Sequence, residues 1–265
     1  MQANPDLIVE LVLVETLGDR HAEVPLHTIG GQGVFVKEIQ QAVLRGDADV
    51  AVHSAKDLPS ITADGLHLAA FCERRDPRDA LIGASLSGLA IGATIATGAV
   101  RRRAQLTAAR PDLRFVELRG NIHTRLGKVP TDGAIVMAAA ALEILGLVHE
   151  ITDYLPPASF VPSPGQGCVA VECRAGDAEM ISALECIDHR ATRRAVEVER
   201  AFLAELGSGC SLPVGAHVSG SRLTAFLGAE DHSRHLLETI ELPDGRDEAL
   251  SRSADLARSM RDRLP

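Results

Sequence analysis

Hydrophobic and polar positions alternate along this chain in short blocks, and most of its elements can be read from that alternation. Ile8–Val14 is β-branched and alternating and predicts a strand. After the glycine-rich turn Gly30-Gly31-Gln32-Gly33, Val36, Ile39, Val43 and Leu44 recur at helical spacing, and Gly46 stands where a C-terminal cap glycine would. Ala48–His53 is short and largely apolar, the pattern of a strand covered on both faces. Ser54-Ala55-Lys56-Asp57 follows at its carboxyl end and Pro59 closes it.

Pro77 begins a second unit. Thr94–Gly98 reads as a strand running into a turn, followed by an arginine-rich helix that ends before Pro111. Leu113–Leu118 is a further strand, Arg119-Gly120-Asn121 a turn, and Thr124–Val129 a short helix. Gly133–Met137 is strand-like, and the alanine/leucine run to Gly146 suits a buried helix. Strand and helix alternating at this pace predict parallel α/β layers. A proline-rich connection (Pro156 to Pro164) leads to the strand Cys168–Cys173, then to a long amphipathic helix over Arg190–Leu206. Ala216–Ser219, Leu223–Leu227 and Leu236–Leu242 alternate like an antiparallel sheet, and Glu248–Leu264 is a final helix.

Composition narrows the function classes. The 265 residues are enough for two or three domains, and with no Trp, one Tyr and six Phe the cores must be aliphatic. So few rings exclude a base-stacking platform, and a formal charge of −9 opposes binding to nucleic acid or an anionic membrane. No apolar run approaches a bilayer span, and no charged-then-apolar leader opens the chain, so a soluble cytoplasmic protein is expected. The five cysteines are an odd, widely spaced set with no C-x-x-C pair, which predicts reduced thiols and no metal site.

Charge is the strongest local anomaly. Between Arg101 and Lys128 stand eight basic and two acidic residues, against the negative total. Arg101 and Arg102 follow one strand, and Arg119 follows another. Ligands of open α/β sheets bind at such carboxyl ends, so a polyanion held between the arginines is the functional reading. A solvated helix face is the plain one. Asp57 has the same address, with Ser54 and Lys56 beside it. It is either a turn residue or a group that holds a cation or shuttles a proton. Cys210, in Gly-Ser-Gly-Cys-Ser, reads on its own as a structural thiol.

Taken in order, several segments resemble the porphobilinogen deaminase (hydroxymethylbilane synthase) family. They are Gly30-Gly-Gln-Gly-Val-Phe-Val-Lys-Glu38, Ala48-Asp-Val-Ala-Val-His-Ser-Ala-Lys-Asp-Leu-Pro59 and Cys72-Glu-Arg-Arg-Asp-Pro-Arg-Asp-Ala80. Further on come Leu118-Arg-Gly-Asn-Ile-His-Thr-Arg-Leu126, Pro164-Gly-Gln-Gly167, Glu199-Arg-Ala-Phe-Leu203 and Gly209-Cys-Ser-Leu-Pro-Val-Gly215. The resemblance implies an α/β protein of three domains. Two are like the halves of a type II periplasmic binding protein, formed by residues 1–74 with 166–187 and by residues 75–165. A small α/β domain with an antiparallel sheet, residues 188–265, is the third.

The implied activity is condensation of four porphobilinogen molecules, with loss of ammonia, on a dipyrromethane cofactor attached by a thioether to Cys210. Asp57 matches the catalytic aspartate. Ser54, Lys56, Thr97, Arg101, Arg102 and Gly120 are the implied cofactor contacts, and Arg119, Arg125 and Gln166 the substrate contacts. A monomer is implied as well. Departures from the family pattern accompany these matches. The matched pattern begins at the family's second strand, so an Arg-x-Ser motif is expected to be missing and this form to be poorly active. Thr97-Gly98-Ala99 replaces Thr-Ser-Ser, Thr28 and Gln32 stand at basic positions, and Ile144 stands for an arginine. The anion clamp is expected to be thinner than usual. A diverged relative that binds a pyrrole or another polyanion without turnover is the competing reading.

Overall fold

The computed structural model describes residues 8–14, 36–207 and 212–264. Helix α1 (Lys37–Arg45) leads into β1 (Val50–Ser54), which runs directly into a single 3₁₀ turn, Ala55–Asp57. Then come β2 (Leu66–Phe71), β3 (Asp79–Ile82), β4 (Thr94–Ala96), α2 (Val100–Ala109), β5 (Arg114–Val116), α3 (Ile122–Leu126), β6 (Gly133–Ala138), α4 (Ala139–Ile144) and β7 (Asp153–Leu155). The chain continues through β8 (Val169–Arg174), α5 (Ala178–Leu184), α6 (Arg190–Leu206), β9 (Val214–Ser219), β10 (Arg222–Gly228), β11 (His235–Glu241) and α7 (Arg246–Arg263).

The strands form three sheets. Sheet A has the order β1-β8-β2, sheet B β5-β4-β6-β3-β7 and sheet C β11-β10-β9. The α/β reading holds, and sheet C is fully antiparallel, as its alternation predicts. The expected parallel layers are only partly found. β4 runs parallel to β5 and β6, but β3 is antiparallel to both β6 and β7, so sheet B is mixed. In sheet A the central strand β8 is antiparallel to both neighbours.

Alternation along the strands of sheet B assigns its two faces. Leu81, Ile95, Ala134 and Val136 join Leu106 of α2 and Leu113 on one side. Their neighbours Ile82, Ala96, Ile135 and Met137 join Leu142 of α4 and Leu118 on the other. Sheet A packs Ala51 and Leu66 against Val43 of α1. Its Phe71 and Ala170 meet Val196 of α6, while Val198 and Phe202 of the same helix enter the core of sheet C. Helix α6 is therefore shared by two cores. His189 caps its first turn by accepting from Thr192 N at 3.3 Å, and Gly207 ends it in the left-handed region at φ 61°.

Three local expectations are corrected. Ile8–Val14 forms no strand, and Ile8, Val9, Leu11 and Leu13 are exposed. A strand needs a neighbour to complete its ladder, and among the described residues none runs beside this segment. The strand at Ala48–His53 is not covered on both faces: among the described residues β1 stands at the edge of sheet A, and Val52 is 61% exposed. The helix expected at Thr124–Val129 starts earlier because Asn121 caps it, its side chain accepting from Thr124 N at 2.9 Å. The Gly30–Gly33 turn and Cys210 lie outside the described residues.

Candidate functional site: a cationic cluster between two sheets

Ser54, Lys56 and Asp57 leave the carboxyl end of β1, where Ala55 N donates to Cys168 O at 2.9 Å and so ties the turn to the start of β8. The Pro164–Gly167 segment lies against this turn. Gly165 has φ 74°, and a Cβ there would stand 3.0 Å from Ala55 Cβ and 3.2 Å from Lys56 N. Only glycine permits that approach without strain. Ser54 and Asp57 are exposed and Lys56 is half-buried, so Asp57 is not enclosed by protein.

Sheet B contributes from two strand ends. Thr97 follows β4, is buried, and accepts from Ala99 N through its hydroxyl at 3.2 Å, which shapes the entry to α2. Arg101 and Arg102 sit in the first turn of α2, and both are buried. Arg119 and Gly120 follow β5. Gly120 has φ 107°, and a Cβ there would collide with Thr124. Arg125 of α3 donates from Nε to Gly120 O at 2.7 Å, and Lys128 donates to Arg119 O at 3.1 Å.

Arg101 and Arg102 converge on a residue for which the sequence suggested no role. Asp79, the first residue of β3, is wholly buried. Its Oδ1 takes Arg102 Nη2 at 2.7 Å and Nε at 2.9 Å, and its Oδ2 lies 2.8 Å from Arg101 Nη1. Gln166 is also buried and donates Nε2 to Asp79 Oδ1 at 3.1 Å and to Pro77 O at 2.8 Å. Its Nε2 is thus engaged inside the protein, while among the described residues its buried Oε1 has no hydrogen-bond partner. The remaining contacts are Arg101 Nη1 to Val161 O at 2.8 Å and Arg102 Nη1 to Val136 O at 3.0 Å. A usable signal was present: an acidic residue heading the buried run Ala80-Leu81-Ile82 must find a cation.

Mutual electrostatics show which groups are neighbours. Burial lowers the pKa of Lys56, Arg101 and Arg102 lower it further, and Asp57 and Asp79 act against this. Burial likewise lowers that of Arg125, with Arg102 and Arg119 adding repulsion and Asp57 opposing it. Asp79 is held far below the usual carboxylate range: its burial opposes ionisation, but Arg101 and Arg102 outweigh that cost. The charges of Asp57, Asp79, Arg101 and Arg102 thus act on Lys56, and those of Arg102, Arg119 and Asp57 on Arg125. Against these five cations stand Asp57, Asp79 and, beside Arg119, Glu117, an excess of positive charge suited to a ligand with several carboxylates.

A second polar node joins the segment after β2, the link before β8 and sheet C. Glu199 of α6 is fully buried and accepts from Arg74 Nη1 at 2.6 Å, Arg74 Nη2 at 3.1 Å, and the backbone N–H groups of Gly165 and Val218 at 2.8 Å. Arg200 beside it donates to Pro59 O at 2.7 Å, just beyond Asp57. Among the described residues, no helix is long and apolar enough to cross a membrane.

The molecule is thus an α/β protein with a cluster of cationic side chains at strand ends. The family model described as porphobilinogen deaminase, dipyromethane cofactor binding domain, matches residues 1–182, and that described as the C-terminal domain matches residues 193–262. Porphobilinogen deaminase of Geobacter sulfurreducens is 44% identical over 247 residues, which are 90% of this chain and 78% of that protein. That of Geotalea daltonii is 42% identical over 91% of this chain and 79% of its own, and that of Acidothermus cellulolyticus 48% identical over 78% and 66%. The chain belongs to the porphobilinogen deaminase family.

Proposed function

We propose that this protein is a hydroxymethylbilane synthase. It condenses four porphobilinogen molecules head to tail, releasing an ammonia at each addition, for porphyrin and haem synthesis. The observation that carries this reading is the meeting of Lys56, Arg101, Arg102, Arg119 and Arg125 with Asp57 in one cluster. Each porphobilinogen brings two carboxylates, so a growing product accumulates negative charge that these side chains neutralise. Asp57, next to Lys56 and Arg125 yet open to solvent, faces the positive charge that develops as ammonia leaves. It also takes up the proton displaced when the next pyrrole carbon attacks.

The donor set fits a dipyrromethane cofactor, whose carboxylates suit the guanidinium and ammonium donors at strand ends. Lys56, Arg101 and Arg102 are the side chains that hold its acidic arms, with Ser54, Thr97 and Gly120 shaping the wall around them. Bound through a thioether at Cys210, the cofactor supplies a primer that retains the product through successive additions. Arg119 and Arg125 serve the incoming substrate, and Gln166 acts on the site through Asp79. Three domains, residues 1–74 with 166–187, 75–165 and 188–265, accord with the three sheets, the first two as halves of a periplasmic-binding-protein-like pair. A cytoplasmic monomer completes the reading.

The test is the intact mass of the purified protein together with ammonia release from porphobilinogen. A mass above that of the chain by one dipyrromethane, a positive acid Ehrlich reaction and loss of both in Cys210→Ser are expected. Reversible binding of porphobilinogen with no added mass and no ammonia would replace this reading with a binding module.

A further inference from the structure

The arginine pair is placed where simple electrostatics disfavours it. Arg101 and Arg102 are adjacent and buried, and they begin α2, where the positive end of the helix dipole repels cations. Burial and Arg102 both lower the pKa of Arg101, and only Asp79 offsets them. A purely structural ion pair needs one arginine for one carboxylate; here two share Asp79, leaving a buried surplus positive charge. Arg102 engages protein acceptors through all three of its nitrogens. Arg101 uses only Nη1, and among the described residues its Nε and Nη2 donors have no partner. Arg101 is near enough to Lys56 for its charge to act on that side chain.

We propose that Asp79 is a positioning residue for anion binding, bracing both guanidiniums from behind so that Arg101 presents Nε and Nη2 to a carboxylate of the bound oligopyrrole. Asp79 touches no ligand itself. The free donors and the surplus charge are held ready by one buried carboxylate, with Gln166 fixing its Oδ1. This rests on the reading of the cluster as an oligopyrrole site.

The experiment compares wild type, Asp79→Asn, Asp79→Glu and Asp112→Asn. The last breaks the Arg110–Asp112 pair elsewhere around sheet B. Loading is read as the fraction of folded protein that carries the dipyrromethane mass. Asp79→Asn is expected to lower it about tenfold, whereas Asp112→Asn loads like wild type. Asp79→Glu keeps the charge but displaces both guanidiniums. It is expected to load and to raise KM for porphobilinogen about fivefold, with kcat within about twofold. Folded Asp79→Asn that loads like Asp112→Asn overturns the proposal. If Asp79→Asn is not recovered folded, Asp79→Glu decides, and an unchanged KM overturns it. Wild type without the added mass overturns the oligopyrrole reading itself, and this inference with it.

Discussion

Glu199 accepts both amino groups of Arg74, at 2.6 and 3.1 Å, from within α6. Because it also takes the N–H groups of Gly165 and Val218, one buried carboxylate ties the segment after sheet A to the return link and to sheet C. Removing one partner of a buried pair leaves the other charge unpaired, so Arg74→Ala is expected to cost about 3–5 kcal/mol in urea denaturation. Arg75→Ala, which breaks the exposed contact to Glu143, is expected to cost no more than about 1 kcal/mol.

The same carboxylate sets an acid limit. The pKa of Glu199 is about 2, against 4.5 for a free glutamate: its burial works against ionisation, but Arg74 and His217 outweigh it. Its contribution is complete above pH 4.5 and drains away as the pH falls toward 2. Asp79, also depressed, acts in the same direction. Unfolding free energy measured from pH 7 downward is expected to fall steeply in acid, and Glu199→Gln is expected to flatten that fall by on the order of 3 kcal/mol.

Gly165 and Gly146 both have positive φ, but only the first has close neighbours. Gly146→Ala meets open space and is expected to cost about 1 kcal/mol in strain, with activity unchanged. Gly165→Ala pushes on Ala55 and Lys56 as well, and is expected to lower kcat about tenfold by displacing Asp57. Equal kcat in the two variants would show that the turn tolerates the shift.

Asp57→Asn tests the proposed chemistry directly. Its side chain is exposed, so the substitution is expected to change stability by less than about 0.5 kcal/mol. Ammonia release from porphobilinogen is expected to drop about 100-fold or more, since a charge facing the reacting centre is removed.

Ile8, Leu11 and Leu13 present apolar side chains to water. A Leu11→Lys/Leu13→Lys variant is expected to keep the wild-type unfolding midpoint while lowering fluorescence of a hydrophobic dye, because no core contact is lost.

Legibility in the sequence followed how local each signal was. Helix α6 was bounded correctly at Arg190 and Leu206 because a long amphipathic run ends at a glycine. β3 was missed: its four residues are all buried and show no alternation. Ile8–Val14 failed in the opposite sense, since propensity cannot supply a partner strand. In the site, the strand-end positions of Asp57, Arg101 and Arg119 were readable. That Arg102 hydrogen-bonds Asp79 and Arg101 forms an ion pair with it was not, because a pairing across more than twenty positions leaves no periodic trace. The inward donation of Gln166 Nε2 to Asp79 and Pro77 is equally non-local.

The middle strand of sheet A is the last of the three to be made. β1 and β2 emerge early from the ribosome but, among the described residues, bond only to β8, and all of sheet B lies between β2 and β8 in the chain. During synthesis the inserted layer can complete itself while the earlier strands wait, their edges covered only when Val169–Arg174 arrives. A chain stalled before that point would hold a finished inner sheet and an open outer one, making the interval before β8 its most aggregation-prone.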